Sequence, residues 1–87
     1  MPQRSGQLTV DGPVSGVAQL DNEIFVALES SRSISVFAFQ GRQDFQRLDD
    51  VSFGELQTPP RDIAINEEFH HLFVADAGAQ CVWQLDR

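Results

Sequence analysis

The sequence predicts an all-β fold built from two copies of one antiparallel unit. Three observations predict it. Apolar residues come in short runs, such as Ile24–Leu28, Ile34–Phe39 and Leu72–Ala75, too brief for helices and without a helical period. Each run is bounded by turn formers, including Asp11-Gly12-Pro13, Asp21-Asn22, Gln40-Gly41 and Asp76-Ala77-Gly78. The runs then recur about 46 to 48 residues further on.

In chain order, residues 1 to 6 are polar, contain Pro2 and Gly6, and read as a flexible tail. Leu8-Thr9-Val10 is a short strand candidate, ended by a strong turn signal. Val17-Ala18 with Leu20 is the next strand, and Asp21 to Glu23 the turn after it. Ile24–Leu28 follows as a strand, Glu29 to Ser33 as a polar hairpin loop, and Ile34–Phe39 as a strand rich in β-formers. Asp44 to Val51 holds a fourth strand candidate around Phe45 and Leu48. Phe53 to Thr58 is a connecting loop, and Pro59-Pro60 marks its end because proline cannot donate to a ladder. Ile63-Ala64-Ile65, Leu72–Ala75 and Cys81–Leu85 then form a three-stranded meander.

The two halves correspond position by position. Val17-Ala18 matches Ile63-Ala64 at a distance of 46, and Ile24–Ala27 matches Leu72–Ala75 at 48. Ile34 matches Val82 and Phe37 matches Leu85, again at 48. A period of this size with short antiparallel strands is the pattern of β-propeller blades. Blade-like repeats are expected at about 14–53 and 59–87, within a unit spanning 7–87.

The segments RDIA, LFVAD and CVWQL, at Arg61–Ala64, Leu72–Asp76 and Cys81–Leu85, resemble the NHL repeat and, more distantly, the YWTD-type blade. GVAQLDNEIFVALESSRSISVF looks like a second copy of the same unit. The resemblance implies two four-stranded blades per chain. It places an aspartate after the second strand, at Asp76, where the first copy has Leu28. The Asp76 carboxylate is expected to close its own turn by accepting amides near Gly78.

Blades carry two apolar faces, so two of them alone leave two faces bare. Phe25, Ala27, Phe37 and Phe39 are expected on one side of their sheet and Ile24, Val26, Ile34 and Val36 on the other. The second blade reads as lacking its outer strand, with an open edge at Val82 to Leu85. Leu8 to Val10 of a neighbouring copy is the expected donor. The resulting expectation is three chains closing head to tail into a six-bladed ring.

For an 87-residue chain, the net charge of −7 argues against a nucleic-acid backbone as partner, and the six basic residues are all scattered arginines. No apolar run approaches about 18 residues, so no membrane span is expected. The first residues lack the apolar stretch of a signal peptide, and with one cysteine the reading favours the cytoplasm.

Chemistry-bearing residues are sparse. His70 and His71, adjacent in a strand, point to opposite faces and do not share a metal easily. Asp21 to Glu23, Asp49-Asp50 and Glu67-Glu68 read as acidic turns without a calcium-loop pattern. Asn22 and Asn66 fall in corresponding turns. Ser30 to Ser33 is a solvated hairpin tip, and Cys81 is expected as a buried, inert thiol. No catalytic motif and no cofactor site is read. Arg61 and Asp62, before the first strand of the second copy, are the candidate binding residues, with an ion pair between them as the simpler reading. The expected function is therefore a non-catalytic scaffold for a protein or peptide partner. A structural protein building larger assemblies is the alternative, and a gluconolactonase-like hydrolase a more distant one.

Overall fold

The computed structural model describes residues 7–41 and 45–87. The strands are β1 (Val14–Leu20), β2 (Glu23–Leu28), β3 (Ile34–Phe39), β4 (Phe45–Val51), β5 (Asp62–Asn66), β6 (His71–Asp76) and β7 (Cys81–Asp86). They form a four-stranded antiparallel sheet, β1-β2-β3-β4, and a three-stranded antiparallel sheet, β5-β6-β7. There is no helix among the described residues.

Local sequence explains the hairpins. Asp21-Asn22 joins β1 to β2 as a two-residue turn, Leu20 pairing Glu23, with Asp21 at φ 54°. Aspartate tolerates that left-handed backbone better than most residues. The two turns of the second sheet are built alike. Asn66 Oδ1 accepts the amides of Glu68 and Phe69, and Asp76 Oδ1 accepts that of Ala79. Each turn closes on a left-handed residue, His70 or Gln80. Asn and Asp favour such turns because their short side chains reach the amides two or three residues on.

The sheets stack face to face. One face of the first sheet, its front, presents Ala18, Leu20, Phe25, Ala27, Ile34 and Val36 to the second sheet. That sheet meets it with its back, through Ile63, Leu72 and Val74, joined by Trp83 and Leu85. Phe25 and Val36 are fully buried. Leu56, from the connecting loop, completes the cluster. At one edge Gly16 lets the backbones approach: a Cβ there would lie 2.9 Å from Asp62 Oδ1 and 3.0 Å from the Ile63 nitrogen. At the strand ends, Arg87 caps the core. Its guanidinium donates to Glu23 at 3.2 and 2.7 Å and lies 5.2 Å from the Phe25 ring centroid.

The register corrects the expected division of faces. The ladder pairs Phe25 with Val36 and Ala27 with Ile34, so these four share the front. Phe37 pairs with Ile24 and faces the back with Val26 and Leu28. Period 2 fixes alternation within each strand, whereas the hairpin loop Glu29 to Ser33 sets which residues oppose each other. Two further expectations change. Asp49-Asp50 lies within β4 rather than in a turn. Cys81 is exposed, because it opens an edge strand beyond the reach of the first sheet.

The segment from Leu8 to Val10 joins neither ladder. It runs over the back of the first sheet, where Leu8 and Val10 pack against Val26, Leu28 and Phe37. The Pro13 carbonyl accepts the Glu29 amide at 2.9 Å and anchors its base.

Candidate functional site

Positions related by the repeat face the same way in both sheets. Ala18, Phe25, Ala27 and Ile34 correspond to Ala64, Phe73, Ala75 and Val82. The first four lie on the front of the first sheet, Phe25, Ala27 and Ile34 buried and Ala18 partly so. The second four form the front of the second sheet, which faces away from the first. The contact between the sheets is therefore front to back, as in a stack of like units, and not the same face used twice.

That open front is shallow and mostly apolar. Ala64, Phe73, Ala75 and Val82 border a groove of ≈ 190 Å³, with Asp62 at its edge. An aromatic row continues it. Phe69 stacks on His71 with centroids 6.0 Å apart, and His71 meets the edge of Phe73 at 6.1 Å. His71 Nε2 lies 3.3 Å from the Asp86 carboxylate. Four large apolar residues stand exposed among the described residues: Val14, Val17, Phe69 and Val82. Val82 belongs to the open front and Phe69 adjoins it, while Val14 and Val17 share the back of the first sheet with Val26 and Leu28. These exposed apolar side chains thus fall on or beside the two outward faces.

A second feature is a polar clamp at Asp76. The carboxylate is 2 % exposed yet fully partnered. Oδ1 accepts the Thr58 hydroxyl at 2.8 Å and the amides of Thr58 and Ala79 at 3.2 and 3.3 Å. Oδ2 accepts the Gln57 amide at 2.8 Å and the Trp83 indole N–H at 2.9 Å. Burial alone would raise this acid's pKa. The donors from Gln57, Trp83, Thr58 and Ala79 outweigh burial and hold the pKa far below the usual carboxylate range. The role is structural: the carboxylate fixes the connecting loop onto the β6–β7 turn, and Trp83 against the edge of Phe53 at 5.7 Å.

Gly78 belongs to the same clamp. Its amide donates to Thr58 Oγ1, and a Cβ at this position would lie 2.5 Å from Thr58 Cγ2. The Thr58 side chain cannot swing away without losing Asp76. Gly78→Ala is therefore expected to cost about 1–3 kcal/mol, as overpacking does. Denaturant titration followed by the emission of the single tryptophan, Trp83, checks this; an unchanged midpoint would mean that the clamp yields freely.

The third feature is a cleft of ≈ 550 Å³ between the start of β1 and the loop entering β5, lined by Val14, Ser15, Glu29, Thr58, Pro60 and Arg61 among others. Arg61 reaches this cleft, whereas Asp62 borders the groove on the open front. The two are not brought together: among the described residues no ion pair joins them, and Asp62 Oδ1 accepts its neighbouring Ile63 amide at 2.9 Å. His70, expected in a strand beside His71, lies exposed in the turn before β6, while His71 is half-buried in β6. No group of three His, Cys, Asp or Glu side chains converges as a metal site would require, among the described residues.

Val82 and Leu85 both lie on β7, whose outer edge is unpaired among the described residues. Val82 is 63 % exposed on the front, while Leu85 packs on the inter-sheet core. The sequence reading missed Gln57 and Thr58, whose roles depend on a contact with Asp76 nearly 20 residues away. The chain matches no protein-family model, and no curated protein shows significant similarity to it.

Proposed function

We propose that this chain is a non-catalytic β-propeller scaffold of the NHL-like type. Its two sheets are successive blades, and three copies close head to tail into a six-bladed ring. The observation that carries this reading is the front-to-back contact between the sheets. A heterologous contact leaves one copy of each contacting surface open, so the same joint can form again between chains. The open front is Ala64, Phe73, Ala75 and Val82, and the matching back belongs to the first sheet.

The contact surfaces also complement each other in size. Within the chain, Gly16 on the front makes room for Asp62. Asp62 is the counterpart of Gly16 in the repeat and would obstruct an identical partner. A second copy offers Gly16 at that point, so each joint pairs one glycine with one aspartate. The open edge of β7 gives Leu8 to Val10 of a neighbour a place to add as an outer strand. The clefts at Arg61 would then lie on one surface of the ring, available to a protein or peptide partner.

Sedimentation at physiological ionic strength tests the assembly, because salt screens the repulsion between chains of charge −7. The expected mass is three times that of the 9.7 kDa chain, falling to one chain for Phe73→Glu. A wild-type chain that stays monomeric at micromolar concentration overturns the reading. Open-ended growth instead of a fixed mass would mark a structural filament, since a joint that does not close propagates.

A further inference from the structure

We infer that the segment from Leu8 to Pro13 is a removable cap that competes with a second copy of the chain for the back of the first sheet. This rests on the assembly reading above and adds a control to it. Leu8 and Val10 cover Val26, Leu28 and Phe37. Val26 and Phe37 are the counterparts of Val74 and Leu85, two of the residues through which the second sheet packs on the first. The cap therefore occupies the surface that an incoming Phe73 face would need, and both cannot be there at once.

The cap is lightly fastened. It forms no ladder, and its base is held by the bond from the Glu29 amide to the Pro13 carbonyl. Besides its apolar packing, a second polar contact among the described residues is Asp11 to Arg47 at 3.7 Å, with side chains 82 % and 47 % exposed, a geometry that contributes little. It also covers only part of the face. Val14 and Val17, on the same back, remain 46 % and 60 % exposed and give a second copy a first foothold. Displacing the cap would free the rest of the face, and would free Leu8 to Val10 at the same time. Self-association is thus weakened by the chain's own residues, though not prevented at micromolar concentration. Occupant and cap compete by mass action, so assembly should rise with concentration and with any weakening of the cap.

The test is the full chain carrying Leu8→Ser and Val10→Ser, compared with wild type by sedimentation over a concentration series, each with and without Phe73→Glu. Circular dichroism verifies that each variant keeps its β signature. The expected result is half-assembly at a concentration at least about ten-fold lower for the Ser variant. Phe73→Glu should abolish assembly in both backgrounds, and a peptide of residues 7–13 should return the Ser variant toward the wild-type curve. If the Ser variant assembles no better than wild type while Phe73→Glu still abolishes assembly, the cap is refuted and the front-to-back joint stands. If neither chain shows association sensitive to Phe73→Glu, the joint is refuted and the cap with it.

Discussion

Asp76→Asn is expected to release the connecting loop and to lower the midpoint of thermal unfolding by on the order of 10 °C. The substitution preserves shape and removes charge. An amide has one acceptor oxygen where the carboxylate has two, and both carboxylate oxygens are fully used. In either orientation the Asn NH₂ would face N–H donors: those of Gln57 and Trp83 on one side, or those of Thr58 and Ala79 on the other. Buried donors left facing a donor lose their partner and regain no water, the costly case. Trp83 should report the event directly, its emission shifting to the red as the indole loses Asp76 and Phe53.

The pH dependence has a definite sign. The folded acid titrates far below the unfolded one, which lies near about 4. Its contribution is therefore complete above that value and is lost as pH falls toward the folded pKa. The difference in stability between wild type and Asp76→Asn should be constant at neutral pH and narrow steadily below about pH 4. Equal midpoints at pH 7, with unchanged Trp83 emission, would show that the clamp is not holding the loop.

Strands were legible in this sequence because their cues are local. Ile34 to Phe39 is bounded by Ser33 and Gln40, and the structure gives that strand the same limits. Face assignment was not legible across the hairpin. The ladder of β2 with β3 depends on how residues 29 to 33 are threaded, and a shift of one residue exchanges the faces. Leu8-Thr9-Val10 shows a different limit. Its alternation fits a strand, yet an extended segment lying across a sheet also presents every second side chain to it. Pattern reports an extended backbone and not what pairs with it. The Asp76 clamp was half legible. An aspartate opening a turn announces the bond to Ala79, but the partners Gln57, Thr58 and Trp83 come from tertiary approach. The acidic pair at Asp49-Asp50 misled because charge suggested a turn, where β4 simply turns polar side chains to solvent at the sheet's outer edge.

Phe25 and Phe73 occupy the same place in the repeat and should answer differently to truncation. Phe25 is fully buried in the front-to-back contact, so Phe25→Ala is expected to cost about 3–5 kcal/mol through lost transfer energy and the cavity left behind. Against a total of about 5–15 kcal/mol for a domain, that brings the chain to the edge of unfolding, and Phe25→Leu serves as the milder companion. The cost should be the same at every protein concentration, because the contact lies within one chain. Phe73 stands half-covered on the open front, and Phe73→Ala should cost about 1 kcal/mol in the dilute single chain. Its larger effect is expected at the proposed joint between copies. Assembly couples stability to concentration, so the wild-type midpoint should climb as the protein is concentrated, and Phe73→Ala should flatten that climb. Phe25→Leu should keep the slope and lower the whole curve. Thermal melts across a hundred-fold range of concentration separate the two behaviours. A Phe73→Ala curve running parallel to wild type would mean that the open front of the second sheet makes no joint, whatever it resembles in the first.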